Sequence, residues 1–321
     1  MKRIATIDVG TNTVRLLIAD YDSGDKIFPV VRKEVITRLG GNFFPQKIIT
    51  PAASERTIAV LRDFKKLIDE YKPEMVIAVG TSVIRESTNR ANFIAQVQNQ
   101  TGIKIIPISG EIEAKISSYG ALLPVNCYYD QAFIFDIGGG STEFILTQKN
   151  TIVKLESVPL GVVHLSEKYF FNDPPTLEEL DRTENLVREK IWQLRENFQK
   201  VNFYPFKSNS KVILIGIAGT PTTIAAIDLK LTHYDQEKVT NHLLEFIRIK
   251  EIFRKLVVLK ADERSKLPGL QKGREDLIIP GIIITMAVME AFSFSQLQVI
   301  DSGLLEGLIL FYSSSGRSMP C

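Results

Sequence analysis

Two strand-like segments of this sequence end in aspartate and run directly into a turn of glycine and hydroxyl residues. They are Asp8-Val9-Gly10-Thr11-Asn12-Thr13 and Asp136-Ile137-Gly138-Gly139-Gly140-Ser141-Thr142. Glycine lets the backbone approach a ligand closely, and successive N–H groups in such a turn form a concavity suited to an anion. The aspartate would repel a phosphate. It suits a divalent metal, because magnesium keeps several waters and is bound through one or two carboxylates plus substrate phosphates. A single Asp-x-Gly turn is also ordinary hairpin chemistry; the weight of the observation lies in there being two. A third segment, Ser109-Gly110-Glu111-Ile112-Glu113-Ala114, opens a predicted helix. Acidic residues in a first turn stabilise the helix dipole, and one of these two carboxylates could also take a proton from an attacking water.

The elements that must position these turns repeat. Alternation predicts strands over residues 3–9, 13–20 and 26–36, a meander whose last turn is Asp22-Ser23-Gly24-Asp25. Apolar residues at helical spacing predict a helix over 51–71, capped by Thr50, then a strand at 75–79, a helix at 82–98, a strand at 103–106 and a helix at 110–122. The pattern then restarts with strands at 132–137, 141–147 and 151–158, helices at 161–170 and 176–201, and a strand at 211–215. Helices at 222–228, 249–259, 276–292 and 304–312 follow, with a short strand at 298–301 and a small polar tail over 313–321. IDVGTNTVRLLIAD, from Ile7, aligns without gaps on FDIGGGSTEFILTQ, from Phe135, so that Asp8 falls on Asp136 and Arg15 on Glu143. Each half also carries a second strand-to-turn loop, Val79-Gly80-Thr81-Ser82 and Ala218-Gly219-Thr220-Pro221. This is the signature of a duplicated α/β domain whose two copies face each other across a cleft. The expected division is 1–124 and 125–312, with the helix near 303–312 packing back on the first domain.

Composition bounds the rest. At 321 residues, 45% hydrophobic and 24% charged, the chain reads as an ordinary globular protein of two domains. A net charge of +2 argues against a nucleic-acid binder, although a local basic patch could still grip a polyanion. The two cysteines, Cys127 and Cys321, give neither a disulfide framework nor a zinc site. No signal-peptide core follows Met1, and the most apolar stretch, residues 277–292, is interrupted by Pro280 and Gly281, so a cytoplasmic protein without a membrane span is expected.

Taken in order, IDVGTNTVRLLIAD, TSVIRESTNRANFI, ISGEIEA, FDIGGGSTEFI, SVPLGVVHLSEKYF, GIAGTPTTIAAI and ERSKLPGLQKGREDLIIPGI resemble the exopolyphosphatase/guanosine pentaphosphate phosphatase family. The resemblance covers the chain up to Tyr312 and implies duplicated actin-like domains and a magnesium-dependent phosphohydrolase, with manganese as a substitute. It implies that Glu113 is the base that activates water, with Ile112 in place of a second family glutamate and Glu111 an extra carboxylate. It makes Asp136 and Glu143 the metal and water-positioning carboxylates, with Gly138, Gly139 and Ser141 lining the phosphate. Asp8, Gly10, Thr11, Asn12 and Arg15 match the first phosphate loop, Arg85 and Asn89 the pattern after the second, and Gly219 and Thr220 a Gly-Gly-Thr turn in which Ala218 replaces the first glycine. Arg15 and Arg85 are the expected clamps on the transferring group. His164 stands where an arginine is expected and reads as a packing residue, and with no counterpart in this sequence to the helical histidine-aspartate region of long family members a short form is expected.

The implied substrate is inorganic polyphosphate or guanosine pentaphosphate, with no nucleic-acid or membrane partner; exposed helices could pair two copies into a homodimer. The same loops would serve a kinase or ATPase of this superfold, or a non-catalytic sensor of guanosine tetraphosphate or polyphosphate. A basic loop at 260–274, carrying Arg264, Lys266, Lys272 and Arg274, is either a solvated surface or the binding site for the trailing phosphates of a long chain.

Overall fold

The computed structural model describes residues 1–22, 26–149, 151–201, 203, 205 and 210–313. The turn expected at 22–25 lies mostly, and the tail from 314 on entirely, outside the described residues. In chain order the elements are β1 (Lys2–Val9), β2 (Thr13–Tyr21), β3 (Ile27–Ile36), α1 (Pro51–Tyr71), β4 (Met75–Gly80), α2 (Ser82–Glu86), α3 (Arg90–Thr101), β5 (Ile105–Pro107) and α4 (Gly110–Leu122). Next come β6 (Gln131–Ile137), β7 (Thr142–Gln148), β8 (Thr151–Val158), α5 (Val162–Tyr169), α6 (Leu177–Gln199), β9 (Val212–Ile217) and α7 (Gly219–Asp228). The chain continues through α8 (Gln236–Val239), β10 (Leu243–Glu245), α9 (Phe246–Leu256), α10 (Ala261–Arg264), α11 (Ile278–Ala291), β11 (Gln296–Val299) and α12 (Leu304–Ser313). It packs as two units: Met1–Gly120 together with the chain from Gly303 on, and Ala121–Ser302.

The sheet of the first unit runs β3-β2-β1-β4-β5, an antiparallel meander followed by two strands parallel to β1. Its strands alternate with a period of two, as buried strands that pack on both faces must. Ala5, Ile7, Val9, Val14, Leu16 and Ile18 join the core made with α1 and α3. Ile4, Leu17, Ala19, Ile77 and Val79 point the other way and are covered by Ile116 of α4 and by Leu304, Leu305, Leu308 and Ile309 of α12. Helices α4 and α12 approach so closely that only glycine fits. A Cβ on Gly120 would lie 1.9 Å from the Gly303 carbonyl oxygen, and one on Gly307 1.9 Å from that of Ile116.

The sheet of the second unit runs β10-β11-β9-β6-β7-β8, with the same meander-then-parallel core and one extra antiparallel edge strand. A cluster of phenylalanines fills its centre: the Phe133 ring lies 4.5 Å from Phe292, 5.1 Å from Phe203 and 5.2 Å from Phe198. The duplicated α/β architecture expected from the repeat is thus the one observed, and the register is duplicated too. Asp8 pairs across its hairpin with Arg15, and Asp136 with Glu143.

Local differences from the sequence reading have local causes. The helix expected over 82–98 is two helices, because Ser87 turns to an extended conformation (φ −66°, ψ 133°). There the Ser87 hydroxyl donates to Asn89 Oδ1, and the Asn89 amide pairs with both backbone groups of Ile49 at 2.9 and 3.0 Å. Side chains of this type draw the backbone out of a helix when such partners are in reach. The basic stretch at 260–274 is not loop throughout, since α10 lies within it.

Candidate active site

In the first unit β1 delivers Asp8 to the end of the sheet, where it is 3% exposed. Its Oδ2 accepts from Arg15 Nε at 3.0 Å and Nη2 at 2.6 Å, while its buried Oδ1 has no hydrogen-bond partner among the described residues. The following turn closes with the Gly10 N–H donating to the Thr13 carbonyl at 2.9 Å. From behind, the segment after β3 holds the turn: Thr37 and Arg38 donate their N–H groups to the Asn12 carbonyl, and Gly40 donates to that of Thr11. Gly40 must be glycine, since a Cβ would sit 2.3 Å from Thr11 Cγ2.

Glu113 is placed by the start of α4. Ser109 caps this helix, its hydroxyl accepting from Ile112 N–H at 3.2 Å and its carbonyl from Glu113 N–H at 2.9 Å. The Glu113 carboxylate then accepts from Arg85 Nη1 at 3.0 Å, and the same nitrogen donates to the Ile108 carbonyl at 3.0 Å. Both side chains are largely shielded, at 24% and 12% exposure. Glu111, two residues earlier, is exposed. Asn89 is committed to Ile49 and so acts in shaping the fold around Arg85.

The second unit builds the same turn, with Gly138 N–H donating to the Ser141 carbonyl at 2.9 Å. Asp136 and Glu143 are 7% and 1% exposed. Glu143 Oε1 accepts the hydroxyls of Ser141 and Ser157, each at 2.7 Å. In this geometry the Ser141 hydroxyl is engaged with Glu143, and its backbone forms the loop. Ser157 was not singled out from the sequence. It lies opposite Glu143 in the β7/β8 register, and strand alternation through that hairpin is the signal that could have found it. The carbonyls of Gly138 and Gly139 accept the first N–H groups of α5, so that helix terminus is capped by the loop. Gly161 leaves room for this contact, a Cβ there falling 2.2 Å from the Gly139 oxygen.

The other loop of this unit starts at Ala218, whose backbone (φ 66°, ψ −167°) occupies a region essentially reserved for glycine. Thr222 N–H and Oγ1 both donate to the Ala218 carbonyl. Gly219 follows, and a Cβ on it would lie 1.6 Å from Arg274 Nη1, so the Arg274 guanidinium rests against the loop backbone. Thr220 packs into space left by Gly281 of α11. Of the four basic residues expected to hold a substrate chain, Arg274 is therefore brought against the turn at Gly219 that the resemblance makes a phosphate loop. Arg264 is not available to one. It is 3% exposed, with Nη2 on Asp173 Oδ1 at 2.8 Å and Nη1 on the Leu259 carbonyl at 3.0 Å. Lys266 is 74% exposed beside Asp262, and Lys272 is also exposed.

No group of three or more His, Cys, Asp or Glu side chains able to hold a metal occurs among the described residues. What is present is one or two carboxylates at each loop, including the unpartnered Asp8 Oδ1. That set fits a cation bound mainly through water and substrate oxygens, as magnesium is, and not a protein cage. No helix among the described residues is long and apolar enough to cross a membrane.

Comparison with known proteins sets this geometry in context. A model of the Ppx/GppA phosphatase family matches residues 17–315. The chain is 36% identical to the bifunctional 3-dehydroquinate synthase/phosphatase of Fusobacterium nucleatum over 95% of its own length, but it spans only 46% of that protein. It is 30% identical to exopolyphosphatase 2 of Mycobacterium tuberculosis over 97% of this chain and 98% of the other. The crystal structure of an exopolyphosphatase from Cytophaga hutchinsonii superimposes with a TM-score of 0.88 at 28% identity, covering 99% of both chains. With a matched family spanning most of its length and full-length relatives on the same duplicated fold, the chain belongs to the Ppx/GppA phosphatase family.

Proposed function

We propose that this protein is an exopolyphosphatase-type phosphohydrolase that releases terminal orthophosphate from inorganic polyphosphate, with guanosine pentaphosphate as a second substrate presenting the same terminal phosphoanhydride. The observation that carries the reading is the setting of Glu113: a carboxylate in the first turn of α4, held at 3.0 Å by Arg85, with the exposed Glu111 left outside the pair. A fixed, ionised carboxylate is what general-base activation of water requires. Glu113 accepts the proton of the attacking water, and Arg85 passes from Glu113 to the charge building on the transferring group. Arg15 keeps Asp8 oriented through its two hydrogen bonds. In each turn the N–H groups beyond the one that closes it, those of Thr11 and Asn12, of Gly139, and of Gly219 and Thr220, would face phosphate oxygens, with Arg274 beside the last of these. Asp136 and Glu143 would hold a magnesium ion largely through water, and its charge would offset that on the phosphoryl oxygens.

The test is orthophosphate release from polyphosphate in the presence of magnesium, by the wild type and by Glu113→Gln. The variant keeps size and hydrogen bonding while removing the base, so turnover should fall roughly a hundredfold to ten-thousandfold with the Michaelis constant nearly unchanged. Wild-type turnover in the variant would remove Glu113 from the chemistry. Phosphate transfer from ATP in place of hydrolysis would make the protein a kinase, and polyphosphate binding without release a sensor.

A further inference from the structure

A cavity lies within the second unit, lined by one face each of α6, α9 and α11. Its volume is about 320 Å³, at the lower end of the range for small-molecule sites. The lining residues follow helical spacing, with Glu184 and Arg188 on α6, Lys250, Phe253 and Arg254 on α9, and Ile283, Met286 and Glu290 on α11. Phe253, Ile283 and Met286 supply an apolar floor, and the charges stand around it.

Only part of that charge is paired. Glu290 lies between Arg188 and Lys250, but at 3.7 and 3.6 Å neither contact closes to a hydrogen bond. Glu184, which feels the charge of Arg188 one turn away, and the exposed Arg254 form neither an ion pair nor a hydrogen bond among the described residues. An apolar floor lined by a part-buried carboxylate on α6 and a guanidinium on α9, both outside any ion pair, is the complement of a small zwitterion with an apolar group. We propose that this cavity binds an apolar α-amino acid, its ammonium on Glu184, its carboxylate on Arg254 and its side chain over Phe253 and Met286. A bidentate guanidinium suits the carboxylate. Burial already pushes the Glu184 carboxyl above its ordinary value, aided by the nearby Asp181 and Glu290 and opposed by Arg188. An ammonium brought to it would restore the ionised form. A ligand carrying only an anionic head would leave Glu184 uncompensated. The inference is independent of the reading of the phosphate loops.

The experiment is calorimetric or NMR titration of the full chain with L-phenylalanine, with phenylacetate, which lacks the ammonium, and with phenethylamine, which lacks the carboxylate. Saturable binding of L-phenylalanine at one site is expected, weakened roughly tenfold or more when either charged group of the ligand is removed. Glu184→Gln and Arg254→Met should each weaken it to a similar extent. Met286→Trp should abolish it by filling the cavity, and the surface variants keep the test meaningful if this one folds poorly. No saturable binding of L-phenylalanine, or phenylacetate binding as tightly as the amino acid, would overturn the proposal.

Discussion

Replacing Ala218 by glycine should stabilise the second unit, against the usual rule that glycine weakens a fold. A residue held in this region of backbone space costs about 1–3 kcal/mol when it carries a Cβ, and Ala218 sits at φ 66°, ψ −167°. Glycine in its place loses about 0.5–1 kcal/mol more conformational entropy on folding. The midpoints leave a net gain of about 1 kcal/mol, reduced slightly by whatever packing the half-buried methyl now makes. Trp192 is the only tryptophan of the chain and lies in α6, so its fluorescence reports on the unit concerned. In urea, with a slope of about 2 kcal/mol per molar, the midpoint should rise by about 0.5 M at unchanged slope. Ala218→Val should move it the other way, because a β-branched side chain is worse placed there. An unchanged or lowered midpoint for Ala218→Gly, or a neutral Ala218→Val, would show that the loop is not strained at this residue.

Asp136→Asn should raise the magnesium concentration needed for half-maximal phosphate release while leaving the fold intact; an unchanged requirement would place the ion on other residues. Gly307→Ala should destabilise the first unit by about 1–3 kcal/mol although alanine is the better helix former, since the new Cβ must displace a backbone oxygen 1.9 Å away. A melting temperature equal to or above wild type would contradict the close crossing of α4 and α12. Glu179 is opposed by desolvation, yet hydrogen bonds from Thr176, Phe171 and Asn172 hold its carboxyl down, lowered to about 2. A carboxyl depressed in the folded state contributes stability above its ordinary value of 4.5 and loses it as pH falls towards 2. Glu179→Gln should therefore melt lower than wild type at pH 7, by about 1 kcal/mol as for loss of a helix cap, and the gap should close between pH 5 and pH 2; a gap constant with pH would refute the assignment.

What was legible in the sequence was whatever repeats or alternates. The matched Asp-x-Gly segments foretold two sheets of like order, and alternation located the strands that carry Ile7 and Leu16 on one face of their sheet and Ile4 and Leu17 on the other. Features that depend on contacts far along the chain were not. Arg264 looked like one of a solvated run because its partner Asp173 is 91 residues away. The helix after β4 looked continuous because Asn89 is drawn out by Ile49, 40 residues earlier. The partner of the Ser141 hydroxyl was not legible either, because its acceptor, Glu143, also takes Ser157 from the next strand. In each case a polar side chain chose between two local roles, and the choice rested on a neighbour that spacing alone does not supply.

The place of α12 in the chain has a consequence for synthesis. The second unit is one continuous stretch, complete once Ser302 has been added. The first begins earlier and finishes later, because the apolar face formed by Ile4, Leu17, Ala19, Ile77 and Val79 is covered in part by Leu304, Leu305, Leu308 and Ile309. While the ribosome makes the intervening residues, that face waits without these partners, exposed to whatever else is sticky nearby. The unit that is started first is therefore sealed last, and a nascent chain stopped between Ser302 and Leu304 carries a finished second unit beside a first unit with one face of its sheet incompletely covered.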